Sequence, residues 1–317
     1  MYYDLGGKLN ERRSEYFWEC QQMTNVILQS KAEAEAAVAG ALPVSPIAGP
    51  KIFLIGASGT GKTHSIRSLL AQEGIKQVRA VFTEPGMSTV GDIPPEQLAW
   101  NFVKPATTTW ADSRKALKRV NDLTYKAQCE SEPSDKKQFT QMLDFYDLME
   151  NYVDQRTGKN YGPVSSWGTD VALFIDGFSG LGIMAMKLAT GSKLVKAPHD
   201  WGTAQGILED FITKLTCDVF CTVVLIGHIE REVDEVTGGT TLMASAPGRK
   251  LAPKLSRWFD DVIHCRRDGD KWDWSTNTTN MDLKSRHLGV HNKLPPDFTP
   301  LFATWKKAGG QFFPGSR

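Results

Sequence analysis

Residues Gly56, Ala57, Ser58, Gly59, Thr60, Gly61, Lys62 and Thr63 read G-A-S-G-T-G-K-T and follow the apolar run Lys51–Ile55. Phosphate oxygens need several donors at close range. Glycines at 56, 59 and 61 let backbone N–H groups converge on them without Cβ clashes. A helix opening near Lys62 would add its positive end. Lys62 supplies a mobile charge for terminal phosphates, and the Thr63 hydroxyl is a magnesium ligand in such loops. His64 follows directly and belongs to the expected phosphate-contacting set. The pattern G-x-x-x-x-G-K-[ST], set between a strand and a helix, is a P-loop, or Walker A motif.

A second magnesium-side group is expected at the end of another strand. Val171 to Ile175 is a continuous apolar run that ends in Asp176, which would hold the ion through a water. Gly177 comes next, so no acid directly follows Asp176 and the water-activating carboxylate must come from elsewhere. Glu84, in F-T-E-P-G, stands just past a strand expected to lie beside the P-loop strand, and is the candidate base.

These groups need a scaffold. Strands are expected over 51–55, 78–82, 100–103, 171–175, 220–226 and 262–265. Helices are expected over 10–40, 62–72, 111–129, 139–152 and 203–215. Such alternation predicts an α/β fold, a mostly parallel sheet flanked by helices, with an N-terminal helical segment. The division expected is a helical segment and Pro-containing linker over 1–48, a nucleotide-binding core over 49–300 and a C-terminal tail over 301–317. The polar, Gly-rich stretch 232–249 reads as mobile.

The chain has 317 residues, 41% hydrophobic and 23% charged, enough for a sizeable core. A net charge of +1 excludes a bulk polycation but leaves a local basic patch open. The five cysteines include no C-x-x-C pair and read as free thiols of a reducing cytosol. A zinc set from Cys217, Cys221, His264 and Cys265 is a weaker alternative. No basic start with an apolar run and no membrane-length apolar stretch is present, so a soluble cytoplasmic protein without membrane contact is expected.

Together these residues resemble the phage-encoded AAA-domain nucleotide-binding proteins, which are RecA-like despite the label. The carriers are the P-loop, F-T-E-P-G, L-F-I-D-G-F-S-G, D-W-G-T-A-Q at 200–205, L-I-G-H, A-P-G-R-K-L-A-P-K-L and K-S-R, from about residue 51 to 297. The resemblance implies a RecA-like P-loop NTPase that binds ATP and magnesium and hydrolyses ATP in phage DNA recombination or replication, in the host cytoplasm. It implies that His228, after the strand ending L-I-G, senses the γ-phosphate. It places DNA-binding loops after that strand, with Arg231, Arg249 and Lys250 as candidate contacts to single-stranded DNA. It also makes Arg286, with Lys284, an arginine finger for a neighbouring subunit, and hence a homo-oligomeric ring or filament. After Asp260 the chain is strand-like around a turn at Asp268-Gly269-Asp270, not a helical lid, which favours RecA-like over AAA+. The second reading is a nucleotide-gated assembly protein with slow hydrolysis and no DNA binding.

Overall fold

Six short apolar runs make the parallel part of one sheet. They are β1 (Lys51–Ile55), β2 (Gln77–Phe82), β3 (Leu98–Phe102), β4 (Val171–Asp176), β5 (Thr222–Gly227) and β8 (Asp261–Asp268), in the order β3-β2-β4-β5-β1-β8. The structure, a computed structural model, describes residues 46–105, 109–130, 139–233, 238–248 and 250–315. The chain divides into two units, 1–47 and 48–317. The helix expected over 10–40 lies outside the described residues.

Every residue of β1, β4 and β5 is buried, as a parallel sheet covered on both faces requires. Side chains alternate between two cores. Phe53, Leu173 and Leu225 join a core beneath α4 (Gln141–Glu150), α5 (Phe178–Thr190) and α6 (Pro198–Cys217). Ile52, Phe174 and Ile226 join the opposite core, closed by α1 (Ile66–Leu70) and α7 (Thr299–Lys307). The flanking helices α2 (Trp110–Asp122) and α3 (Tyr125–Glu130) bury no residue.

Two antiparallel additions complete the architecture. β9 (Lys271–Ser275) and β10 (Lys284–Ser285) both pair with β8. β6 (Ile229–Val233) pairs with β7 (Thr240–Ala244) in a separate ribbon. Thus strands lie within the stretch expected to be mobile.

Several expectations change. The helix expected over 62–72 is a 3₁₀ turn, Thr63–Ser65, followed by the five-residue α1. The segment 111–129 breaks at Leu123-Thr124 into α2 and α3. Helix α5 was not expected, because it is apolar on nearly every side. The segment from 301, expected as a tail, carries Leu301, Phe302 and Trp305 into the core. Trp305 is 2% exposed, and its indole N–H donates to the Ala48 carbonyl at 3.0 Å.

Candidate functional site

The ends of β1, β2, β4 and β5 open into a cavity of about 930 Å³, lined by Lys62, Thr63, Glu84, Asp176 and His228 among others. This is the carboxyl edge of the sheet, where open α/β folds hold ligands. Register brings the four ends level. Ile55 pairs with Gly227, Asp176 with Ile226, and Phe82 with Asp176. The expectation that β2 lies beside the P-loop strand is corrected, since β5 and β4 stand between them. Glu84 still reaches the cavity, because it lies two residues past the level that Phe82 shares with Asp176.

The Thr63 hydroxyl donates to Asp176 Oδ2 at 2.6 Å. Gly86 keeps this corner open, for a Cβ there would come within 3.0 Å of Asp176 Oδ2. Burial pushes the Asp176 carboxyl above its ordinary pKa, against the pull of the Thr63 bond and Lys62. Lys62 Nζ donates to the carbonyls of Gly56 at 2.8 Å and Ala57 at 2.7 Å. Burial lowers the pKa of this amine, partly offset by Cys265, Asp176 and Glu84.

Glu84 Oε2 lies 2.9 Å from His228 Nε2. That hydrogen bond is the main cause that holds the Glu84 carboxyl below its ordinary pKa, so Nε2–H donates to a carboxylate. The pair is about one-third exposed on each side, so water and nucleotide can reach it.

The residue after Asp176 has its own explanation. Gly177 sits at φ +118°, where a Cβ would lie 2.1 Å from Thr83 Oγ1 and 3.1 Å from Glu84 Cγ. The Thr83 hydroxyl donates to the Gly177 carbonyl at 2.6 Å. The volume that an acid at 177 would need is filled by the strand end that carries Glu84.

Other expected residues fall elsewhere. Lys284 and Arg286 sit on and just past β10 and do not line the cavity. Arg286 pairs with Asp260 at 2.9 Å. The fully buried Asp261 anchors this edge, accepting from Ser285 Oγ at 2.8 Å and from the Arg286 and His287 amides at 3.1 Å each. Asp200 holds the start of α6, accepting from Ala197 N at 2.6 Å and Lys193 Nζ at 2.8 Å. Gln205 Nε2 donates to the Pro247 carbonyl at 2.9 Å, which ties the D-W-G-T-A-Q and A-P-G segments together. Arg231 and Lys250 are exposed, and Arg249 lies outside the described residues.

Several residues of the cavity wall were not anticipated, four of them far from the P-loop motif or bulky enough to shape the wall. Arg67, Trp272, Pro296 and Asp297 all line it. Only Trp272 carried any signal, as an aromatic beside a turn.

Among the described residues no three His, Cys, Asp or Glu side chains gather as a metal set. Cys217 is exposed while Cys221 and Cys265 are buried, so the zinc alternative finds no site. Magnesium asks for less, since it arrives with phosphates and keeps several waters. Thr63 Oγ1 and Asp176 Oδ2 are hard oxygen donors in one open corner and fit it.

No family model and no curated protein matches the chain. One solved structure, described as a prototypical ATPase from the type III secretion system of pathogenic bacteria, aligns over 69% of this chain and 52% of its own, at 13% identity and a TM-score of 0.33. The matched part is about half the length of that ATPase. The fold class rests on the chain's own features. A P-loop after β1, an acid at the end of β4 and one strand between the two make a P-loop NTPase fold, and the antiparallel β9 and β10 beside β8, where a helical lid would follow in AAA+ proteins, make it RecA-like. Among the described residues no helix is long and apolar enough to cross a membrane.

Proposed function

We propose that the chain binds ATP with magnesium and hydrolyses it, working beside DNA. The observation that carries this reading is the meeting of two pairs in one cavity. These are Thr63 with Asp176 at 2.6 Å and Glu84 with His228 at 2.9 Å, next to the Lys62 amine. Loop amides and Lys62 hold the β- and γ-phosphates. Thr63 and Asp176 hold magnesium, which would neutralise charge on the phosphate oxygens. Glu84, kept ionised by His228, accepts the proton of the attacking water. His228 touches both the base and the space beyond it, so it senses whether the last phosphate is present.

DNA enters as the proposed partner through the resemblance to phage recombination and replication ATPases, and through a groove of about 300 Å³. Lys187, Lys196, Trp201 and Pro247 line that groove, with Lys196 Nζ 5.0 Å from the Trp201 ring centre. Amines around an exposed aromatic ring suit single-stranded nucleic acid, whose bases stack and whose phosphates need cations. Lys284 and Arg286, on an outer strand away from their own cavity, are proposed to act on a neighbour's nucleotide in a ring or filament.

The test is the ATPase rate of wild type and Lys62→Ala, each with and without single-stranded DNA, beside solution mass with nucleotide. Lys62→Ala is expected to lose turnover, and full activity would sink the assignment. Turnover that ignores DNA, with no DNA binding at low salt, would favour the assembly-protein reading.

A further inference from the structure

The outer wall of the nucleotide cavity is built by residues that no phosphate requires. Trp272, on β9, donates its indole N–H to the Gly59 carbonyl at 3.2 Å. A Cβ on Gly61 would lie 3.2 Å from its Cδ1, so the ring rests on the loop itself. The Arg267 guanidinium stands 5.2 Å from its ring centre. Trp272 nonetheless keeps 44% of its surface exposed while lining the cavity. An exposed indole pinned on two sides offers a flat, pre-positioned face.

Asp297 lines the same cavity. Three donors fall on one of its oxygens. Ser68 Oγ at 2.8 Å, Thr299 N at 3.0 Å and Thr299 Oγ1 at 2.9 Å all reach Oδ1. No other side chain of the described residues donates to this carboxylate, and the Phe298 amide, which donates to Ser68 Oγ at 2.9 Å, also acts on it. Burial alone would raise the pKa of this carboxyl, yet the bonds from Thr299 and Ser68 hold it below the ordinary value. It is therefore an acceptor at neutral pH, with its Ser68 and Thr299 partners gathered on Oδ1.

We propose that Trp272 and Asp297 form the base-recognition corner of the site, with the indole stacking on a purine and Asp297 Oδ2 accepting from its amino group. With Oδ1 taken by three donors, Oδ2 is the oxygen that faces a base, and one acceptor suits the single N6 amino group of adenine better than the paired donors of guanine. A guanine edge presents N1–H and N2–H together and is matched by two carboxylate oxygens, but Oδ1 is already committed. An adenine edge presents only the N6 amino group beside the acceptor N1. The inference rests on the nucleotide reading above and adds the choice of base.

The probes are ATP, GTP, ITP and magnesium tripolyphosphate, bound to wild type, Trp272→Ala, Trp272→Phe and Asp297→Asn and followed by calorimetry. Wild type is expected to bind ATP more tightly than GTP or ITP. Trp272→Ala should lose about tenfold or more for ATP and little for tripolyphosphate. Trp272→Phe keeps a stacking face and should recover most of the loss. Asp297→Asn keeps the Oδ1 acceptor but turns an amide donor toward the base, so preference should move from ATP toward the 6-oxo purine ITP. Equal losses of ATP and tripolyphosphate in Trp272→Ala, or no recovery with Phe, would reduce Trp272 to a buttress of the loop and overturn the proposal. An unchanged ATP-to-ITP ratio in Asp297→Asn would remove Asp297 from base reading. Failure of wild type to bind either ATP or tripolyphosphate would instead refute the nucleotide reading underneath.

Discussion

Gly177→Ala isolates the reason no acid follows Asp176, which leaves the candidate base, Glu84, just past the end of β2. The backbone at 177 has φ +118°, and the new Cβ would meet Thr83 Oγ1 at 2.1 Å. A side chain at such a φ costs about 1–2 kcal/mol. Relieving the overlap in a packed region costs about 1–3 kcal/mol more. The sum is about 2–5 kcal/mol, which in a domain of this size is a melting shift of about 4–10 °C. Urea unfolding and calorimetry measure it. The cause is separable with Thr83→Ala, which removes the clashing hydroxyl and also its 2.6 Å bond to the Gly177 carbonyl. Thr83→Ala alone should cost about 1 kcal/mol. In that background Gly177→Ala should cost less, leaving a coupling energy of about 1–3 kcal/mol. A loss below about 1 kcal/mol for Gly177→Ala, or strict additivity with Thr83→Ala, would refute the steric account. Gly177→Glu, which writes the Asp-Glu pair of AAA+ proteins, should be at least as destabilising and should not replace Glu84.

Three further outcomes are expected. His228→Ala removes the main cause that holds Glu84 below the ordinary 4.5; the acid limb of the ATPase pH–rate profile should move to higher pH, and an unmoved limb would separate the two residues. The Glu84 carboxylate contributes stability above its unfolded pKa and loses it as pH falls through the lowered folded value, so this mutant should also lose part of wild type's advantage just above that range. Asp176 has the opposite sign: burial raises its pKa above 3.8, so its contribution is fully present below that value and is lost as pH rises through the folded pKa. Asp176→Asn should therefore melt higher than wild type without ligand at pH 7, yet gain nothing from magnesium and ATP; a lower melting point would refute this. Trp305→Ala should cost about 3–5 kcal/mol in urea unfolding, because the segment after 300 is core rather than tail.

What the sequence made legible was local. A phosphate-binding turn constrains eight adjacent positions, so Gly56 to Thr63 could be read without a fold. Val171 to Asp176 was equally plain, since a strand buried on both faces must be apolar throughout. Long-range pairing was not legible. The Glu84–His228 contact joins residues 144 apart, and Trp272 meets Gly59 across 213. Neither pairing leaves a spacing to find. Strand order failed for the same reason, because nothing in β2 says which strand it pairs with. Helix α5 was hidden by its success at burial. Most of it packs against the sheet and α6, and its exposed strip carries apolar Ile183 beside Lys187, so few polar residues mark a helical period.

The intervening strand β5 is also what joins the chemistry to the rest of the surface. Its end carries His228 to Glu84, and β6 begins at the very next residue. The His228 carbonyl accepts from Ser245 N at 2.8 Å, which fastens the far end of the β6–β7 ribbon back to the same residue. Ser245 in turn lines the groove that holds Lys187, Lys196 and Trp201. One residue thus touches the candidate base with its side chain and the ribbon with its backbone. Had the acid-bearing strand β4 lain directly beside β1, no such element would stand between the cavity and the groove. The sheet order that the sequence reading missed thus puts one backbone hydrogen bond between His228, which lines the cavity, and Ser245, which lines the groove.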